Sequence, residues 1–186
     1  ELVLIDINKN KVEGEVMDII QGTYFRNPIS IVAGEYEDAK DSDIVIITSG
    51  IARKPGQTRL ELAQTNVNIL KDITDKIVSK APDATYIIVS NPVDVLTYVF
   101  HKISGIPEER IIGSGTILDT ARLRARVAEY YDVNQKNVHA YVLGEHGDSA
   151  FVPWSIANIS NVPIEDYREA LLNSKEYPEF DRDEVE

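Results

Sequence analysis

Short apolar runs and longer, periodic apolar stripes alternate along this chain. A continuous run such as residues 2–5 is typical of a strand buried on both faces, whereas apolar residues recurring every three or four positions are typical of an amphipathic helix. The predicted strands are residues 2–5, 29–33, 43–48, 85–89 and 110–112. Strands that alternate with helices pair in parallel through right-handed crossovers, so an α/β fold with a parallel sheet is expected.

The predicted helices lie between and after these strands. Their apolar stripes fall within residues 12–20, 63–77, 93–103 and 114–131. Gly22 is a stop signal for the first helix. A last apolar run, residues 137–143, is predicted to be a strand that delivers His146 between Gly144 and Gly147.

A domain boundary is expected near Gly113. No obvious linker separates the two parts, but polar residues of a catalytic type concentrate beyond this point. We therefore expect one domain at residues 1–112 and a second at residues 113–186.

Composition narrows the functional classes. The chain is 43% apolar and 27% charged, as in an ordinary globular protein. Its formal net charge of −12 argues against nucleic acid or an anionic membrane as a partner. The chain has no cysteine, which excludes a disulfide framework and a thiolate metal site. No apolar run approaches the roughly 20 residues of a transmembrane helix. We expect a cytoplasmic protein, and we expect no metal site.

Polar residues stand at the carboxyl ends of three predicted strands: Asp6, Thr48 with Gly50, and Ser90 with Asn91. Open parallel sheets bind their ligands at this edge. An acid that ends the second strand of a dinucleotide-binding unit hydrogen-bonds the adenosine ribose, and its charge disfavours a 2′-phosphate. For Asp6 the alternative is a helix N-cap.

The Gly-rich phosphate loop that precedes such an acid by roughly 20 residues does not occur in this sequence. The chain also begins directly on an apolar run, without an initiator Met. Either the fold is a different one, or the chain begins after the loop and is a fragment.

His146 is the strongest candidate for chemistry. An imidazole held by a permissive backbone at the end of a strand is well placed to transfer protons, although a surface histidine in a Gly-rich turn is the alternative. Asp119 and Arg122 lie three residues apart and share one face of a predicted helix. They form either an intrahelical ion pair alone, or a pair in which Asp119 orients the imidazole and Arg122 binds a carboxylate.

A loop at residues 51–59 carries further cations around Pro55 and Gly56. Arg59 is a candidate second guanidinium at the site, and its alternative is a solvated cation at a helix start. Arg53 is of a type that is most often exposed. Together with the imidazole, its carboxylate partner, the first guanidinium and the ribose acid, Arg59 completes the set of groups needed to pass a hydride between nicotinamide and a 2-hydroxy acid.

Four segments carry motifs of a known family: Arg53–Arg59, Ser90–Asp94, Gly113–Arg122 and Gly144–Ser149. In this order they resemble the lactate/malate dehydrogenase family in its bacterial form, across essentially the whole chain. The resemblance implies a Rossmann-type parallel sheet that lacks its first strand and Gly-rich loop. A truncated mixed α/β catalytic domain would follow it.

The resemblance also implies residue roles. His146 would be the proton donor and acceptor, with Asp119 as its carboxylate partner. Arg122 would bind the substrate carboxylate, and Arg59, on a mobile loop, would polarise the carbonyl. Asn91 would contact both substrate and nicotinamide. The NAD cofactor would lie along Asp6, Thr48, Gly50, Ser90 and Asn91.

Substrate choice rests on two segments. Gly144–Ser149 followed by Trp154 and Ser155 implies interconversion of L-lactate and pyruvate with NAD(H). Arg53 departs from this pattern, because many lactate-type members have Gln there and malate-type members have Arg, which neutralises the second carboxylate of oxaloacetate. Malate as substrate, and a non-catalytic reuse of the fold, remain alternatives.

The resemblance further implies regulation and assembly. Arg124 and His139 match positions that bind fructose 1,6-bisphosphate between subunits of bacterial members; the alternatives are a surface cation and a strand histidine. The full-length protein would be a homotetramer. Without its phosphate loop, the isolated 186-residue chain is expected to be inactive.

Overall fold

The computed structural model describes residues 1–52, 56 and 58–172, and at Arg59, Ala170 and Leu172 it describes the backbone alone. The chain divides into two compact units, Glu1–Gly113 (unit 1) and Ser114–Glu186 (unit 2). None of the helices in the described part is long and apolar enough to cross a membrane.

Unit 1 alternates strands and helices, as predicted. Its elements are β1 (Leu2–Leu4), α1 (Lys9–Gly22), β2 (Ile31–Ala33), β3 (Ile44–Ile47), α2 (Arg59–Ile77), β4 (Thr85–Ile88), α3 (Val93–Ser104) and β5 (Ile111–Gly113). All strand pairs in this unit are parallel, which confirms the predicted sheet type.

The strands of unit 1 form two sheets rather than one. One sheet has the order β1-β2 and the other has the order β3-β4-β5. Among the described residues, β1 and β3 therefore each pair along one edge only. The Rossmann-type sheet is present as two separate parallel pieces.

The core of unit 1 lies on one face of the three-stranded sheet. Tyr86 and Ile88 of β4 pack with Leu96 and Phe100 of α3, and all four are 0% exposed. The Tyr86 and Phe100 rings lie 4.9 Å apart. Burial raises the pKa of Tyr86 to about 12, and its hydroxyl donates a hydrogen bond to the Ala81 carbonyl at 2.8 Å.

The opposite face of this sheet is open. Ile44 and Ile46 alternate with the buried Ile47 along β3, and each is 57% exposed. Leu2 of β1 is also exposed, at 37%. β1 belongs to the two-stranded sheet, and the expectation that the run at residues 2–5 is buried on both faces is wrong, because Leu2 is exposed and Val3 and Leu4 are only partly buried.

Unit 2 combines helices with a small antiparallel sheet. Its elements are α4 (Ile117–Tyr131), β6 (Val138–His139), β7 (Asn158–Ile159), β8 (Val162–Pro163) and α5 (Ile164–Leu172). The sheet order is β6-β7-β8, and its core packs Val127 and Tyr131 of α4 against Val138 and Ile159. This is the mixed α/β arrangement that was predicted.

Candidate functional site

In unit 2, the His146 imidazole is in direct contact with the Asp119 carboxylate. The Nδ1 atom of His146 lies 2.6 Å from Oδ2 of Asp119, and the two residues are 27 apart in sequence. Their side chains are 31% and 25% exposed, so the pair is partly shielded but reachable. An imidazole held at Nδ1 by a carboxylate has a fixed orientation and tautomer.

The second carboxylate oxygen of Asp119 faces a cation. Nη1 of Arg122 lies 3.6 Å from Oδ1 of Asp119, and the Arg122 side chain is 66% exposed. The intrahelical ion pair and the imidazole partnership, which were alternatives at the sequence level, therefore coexist on one carboxylate. At 3.6 Å the ion pair is loose, and the guanidinium remains open to an anion.

A row of side chains from the N-cap of α4 and from α4 itself fixes the segment that leads to His146. The Thr116 hydroxyl donates to the Val142 carbonyl at 2.6 Å, and the Val142 N–H donates to the Thr120 hydroxyl at 2.9 Å. One turn further along, Nε of Arg124 donates to the Ala140 carbonyl at 2.9 Å. Because these residues are four apart, they lie on one helix face and align the segment with the helix that carries Asp119.

These contacts correct the predicted strand at residues 137–143. Only Val138 and His139 belong to a strand, because the backbone groups of Ala140 and Val142 bond to side chains of α4 instead of another strand. Leu143 then forms an isolated antiparallel bridge with Phe151.

That bridge closes the loop around His146. The N–H and carbonyl groups of Leu143 and Phe151 exchange hydrogen bonds of 2.9 and 3.0 Å. Gly144 has φ +95°, a conformation that side-chain-bearing residues rarely adopt. Inside the loop, the Ser149 hydroxyl donates to Glu145 at 2.8 Å. Backbone pairing at the base thus limits how far His146 can move from Asp119.

A cavity of about 620 Å³ opens in front of the pair. Its polar lining includes Asp119, Arg122 and His146, and Phe151 and Val152 contribute an apolar wall. A small apolar molecule that carries one carboxylate matches this combination of an imidazole, a guanidinium and an apolar surface.

The strand-end residues of unit 1 differ in exposure. Thr48, Gly50 and Asn91 are exposed, whereas Ser90 is buried. The Ser90 hydroxyl donates to the Ser49 carbonyl at 2.6 Å, which links the end of β4 to the segment after β3. The Ser90 side chain is therefore already occupied within the protein.

Asp6 does not cap α1. The N-cap is Asn8, whose side chain accepts a hydrogen bond from the Lys11 N–H, so the N-cap alternative for Asp6 is wrong. One Asp6 oxygen accepts from the Asn8 N–H at 2.9 Å, and the other lies 4.0 Å from the Lys11 ammonium. Its carboxylate stands after β1 as an exposed anionic acceptor.

The structure describes little of two arginines that were predicted to be at the site. Arg59 is the first residue of α2, but its side chain lies outside the described atoms, and Arg53 lies outside the described residues altogether. A capping box between Thr58 and Glu61 fixes the start of the helix and hence the backbone of Arg59.

A second cavity of unit 2, of about 600 Å³, touches one of the two residues predicted to bind a bisphosphate. Arg124 lines it together with Lys136, whereas His139 does not. The Arg124 guanidinium lies over the Tyr141 ring, 4.7 Å from its centroid. His139 pairs with Asn158 in the antiparallel sheet.

Three side chains that hold backbone segments in place were not identified from the sequence: Thr116, Thr120 and Asn66. The threonines are ordinary in a helix, and only their spacing of four residues hints at a common partner. Asn66 is a polar residue within the apolar stripe of α2, and this interruption is the one signal that could have identified it.

Family models match both units. The model described as lactate/malate dehydrogenase, NAD binding domain, covers residues 1–113, and the model of the alpha/beta C-terminal domain covers residues 116–183.

Curated relatives and solved structures agree with these models. L-lactate dehydrogenase 1 of Clostridium acetobutylicum is 49% identical over 91% of this chain and 54% of its own length. L-lactate dehydrogenase of Clostridium botulinum (strain Loch Maree) is 49% identical over 100% of this chain and 58% of its own length. A lactate dehydrogenase from a Medee basin deep-sea metagenome library superposes with a TM-score of 0.88 at 46% identity, covering 99% of this chain and 58% of that one. The minor L-lactate dehydrogenase of Enterococcus mundtii superposes with a TM-score of 0.86 at 41% identity. That match covers 94% of this chain and 56% of the Enterococcus chain.

The chain thus spans little more than half the length of the relatives it matches. Within that span, each unit matches a family model, and the chain is similar in fold to solved lactate dehydrogenases. The chain belongs to the lactate/malate dehydrogenase family.

Proposed function

We propose that the whole protein is an NAD-dependent L-lactate dehydrogenase, which interconverts L-lactate and pyruvate. The observation that carries this proposal is the 2.6 Å contact between His146 and Asp119 beside Arg122 in one cavity. A proton-transfer pair next to an exposed, loosely paired guanidinium matches a substrate that carries both a hydroxyl and a carboxylate.

Proton transfer is assigned to Nε2 of His146, because Nδ1 is engaged by Asp119. In the direction of pyruvate reduction, Nε2 donates its proton to the carbonyl oxygen, and in lactate oxidation it removes the hydroxyl proton. Asp119 fixes the ring orientation and stabilises the imidazolium form between these events. The carboxylate does not itself take up the proton in this scheme.

Contacts with the substrate are assigned to four side chains. The exposed Arg122 forks onto the substrate carboxylate, which a planar guanidinium binds in a bidentate manner. Asn91, exposed at the end of β4, contacts the substrate and the nicotinamide. By family resemblance, Arg59 polarises the carbonyl and Arg53 lines the substrate side of the same loop.

The residues of unit 1 fit NAD. Asp6 offers an exposed carboxylate that is not consumed by helix capping, which suits ribose hydroxyls and disfavours a 2′-phosphate. Thr48, Gly50 and Asn91 leave an accessible edge, and Ser90 supports it from beneath. When bound, NAD(H) supplies the hydride acceptor or donor. We infer that residues 1–112 bind the cofactor and residues 113–186 the substrate.

The choice of substrate is tested by measuring kcat/KM of the whole protein for pyruvate and for oxaloacetate. The similar relatives named above are lactate dehydrogenases, which favours pyruvate, whereas Arg53 is the observation that favours oxaloacetate. We expect a higher kcat/KM for pyruvate, and Arg53→Gln should lower any residual turnover of oxaloacetate. A kcat/KM that is higher for oxaloacetate would make the protein a malate dehydrogenase.

We also propose, by resemblance to the family, an effector site for fructose 1,6-bisphosphate and a homotetrameric assembly. Arg124 uses Nε for the Ala140 carbonyl, which leaves its terminal nitrogens for a phosphate of fructose 1,6-bisphosphate, with His139 as the second residue. The site would form between subunits of a cytoplasmic homotetramer. Arg124→Gln should abolish activation by fructose 1,6-bisphosphate; activation that persists in this variant would remove Arg124 from the effector site.

A further inference from the structure

Asn66 is a buried amide in the middle of α2, with an exposed fraction of 3%. Its Oδ1 atom accepts a hydrogen bond from the Ile51 N–H at 2.9 Å. Its Nδ2 atom donates to the Asn91 carbonyl at 2.7 Å and to the Ile51 carbonyl at 3.3 Å. One side chain therefore satisfies three backbone groups, which would otherwise lose their partners in a poorly hydrated place.

The two partners of Asn66 belong to different segments. Ile51 follows β3 and lies 15 residues before Asn66, and Asn91 follows β4 and lies 25 residues after it. The neighbouring Gly50 also lies close to the amide: a Cβ at that position would be 3.4 Å from the Asn66 side chain, an ordinary van der Waals distance. Asn66 thus ties together the two segments assigned to cofactor and substrate contacts.

The same helix begins at Arg59. Seven residues along an α-helix correspond to roughly 10 Å, so Asn66 lies two turns from the backbone of the loop arginine. Through Asn66, the position of this helix relative to Asn91 is set by a direct hydrogen bond. A rigid link of this kind matters for catalysis, because displacing a reacting group by an ångström costs about 100-fold in rate.

We propose that Asn66 is a positioning residue for the reaction: it holds the backbones of Asn91 and Ile51 at the catalytic edge of unit 1. The proposal rests on the proposed dehydrogenase function, and it concerns turnover rather than the stability of the fold. Asn66 touches neither substrate nor cofactor in this scheme. It acts through Asn91 and through the segment after Gly50.

The test compares Asn66→Ala with Thr74→Ala in the whole protein. Thr74 is a matched control, because it is a polar residue of the same helix, 2% exposed, whose hydroxyl bonds only to the Leu70 carbonyl. Both changes remove a buried polar group, but only the first frees the two segments. Steady-state kinetics with pyruvate and hydrogen exchange of the Ile51 amide are measured for each variant.

We expect Asn66→Ala to lower kcat/KM for pyruvate by about 10-fold to 100-fold, whereas Thr74→Ala stays within about twofold of the unsubstituted protein. The Ile51 amide should exchange faster in Asn66→Ala alone. Asn66→Asp keeps the acceptor for the Ile51 N–H but places an oxygen against the Asn91 carbonyl. It should therefore lose activity while retaining protection of the Ile51 amide.

Equal kinetic losses in Asn66→Ala and Thr74→Ala would overturn the proposal, and so would an unchanged Ile51 amide in Asn66→Ala. If both Asn66 variants fail to fold, the residue serves stability and the proposal is likewise overturned. If the unsubstituted protein does not reduce pyruvate, the proposed function fails. The exchange of the Ile51 amide then still decides whether Asn66 holds these segments.

Discussion

The Asp119 carboxylate divides its two oxygens between an imidazole and a guanidinium. Oδ2 lies 2.6 Å from the His146 imidazole, and Oδ1 lies 3.6 Å from the Arg122 guanidinium. The shorter contact is of the charge-assisted kind and fixes the tautomer of the ring. Proton transfer therefore depends on the charge of Asp119, and not only on its shape.

Asp119→Asn should consequently lower kcat for pyruvate by about 100-fold or more, because the amide no longer stabilises the imidazolium form. Steady-state kinetics of the whole protein measure this. Glu129→Gln is the control: Glu129 is an exposed acid of the same helix, paired with Arg126 at 3.3 Å. A kcat for Asp119→Asn close to that of the control would contradict the role assigned to Asp119.

At the residue scale, the sequence predicts the side chains that carry the chemistry better than the side chains that hold them in position. The three-residue spacing of Asp119 and Arg122 places them on one helix face without further information. His146 lies 27 residues from Asp119, so their contact depends on tertiary structure, which periodicity cannot supply. Thr120 and Asn66 were missed because hydroxyl and amide side chains occur in many structural roles.

At the element scale, the start of α2 has a distinct stabilising contact. The Thr58 hydroxyl accepts from the Glu61 N–H at 3.1 Å, and the Glu61 carboxylate accepts from the Thr58 N–H at 2.9 Å. Thr58→Ala removes the cap and should lower the free energy of unfolding by about 1 kcal/mol. Urea denaturation at neutral pH measures the difference. Asn68→Ala is the control, because Asn68 is an exposed residue of the same helix that takes no part in the cap; its side chain accepts a hydrogen bond from Gln64.

The stabilisation that the capping box gives to the folded protein should also depend on pH. Hydrogen bonds from the Thr58 N–H and hydroxyl hold the pKa of Glu61 below its ordinary value of 4.5. A lowered pKa in the folded state means that the stabilisation is present above the ordinary pKa and is lost as pH falls through the folded-state pKa. The effect of Glu61→Gln on stability should therefore shrink in acid. An effect that grows as pH falls would contradict this linkage.

The elements of unit 1 follow from the sequence pattern, and those of unit 2 follow less well. Alternating runs and stripes predicted the described α-helices and strands of unit 1 within a few residues, but not its short 3-10 helices. The run at residues 137–143 has the composition of a strand, yet α4 side chains replace the strand partner beyond His139. The hairpin of β7 and β8 was not predicted, because each strand has only two residues.

At the scale of the whole molecule, the uncovered sheet face is the main departure from a parallel sheet with helices on both sides. Ile44 and Ile46 are each 57% exposed on β3. An apolar surface of this kind binds hydrophobic dyes and promotes association. Replacing both residues with Thr in the 186-residue chain should reduce dye fluorescence and concentration-dependent association.

Val95→Thr provides the comparison, since Val95 is an exposed apolar residue of α3, at 44%. Dye binding that falls equally in both variants would show that the sheet face has no special role. The division of the sheet into two pieces could not be predicted from sequence, because each run of apolar residues looks the same whichever neighbours it has.

The central claim is that Nε2 of His146 transfers the proton in pyruvate reduction. The most direct measurement is kcat with pyruvate and NADH for His146→Ala in the whole protein, with His101→Gln of α3 as the histidine control. We predict a loss of about 1,000-fold, within the range for general acid–base catalysis, with circular dichroism unchanged and the control close to full activity. Turnover that survives in a folded His146→Ala protein would contradict the claim and would favour a non-catalytic reuse of the fold.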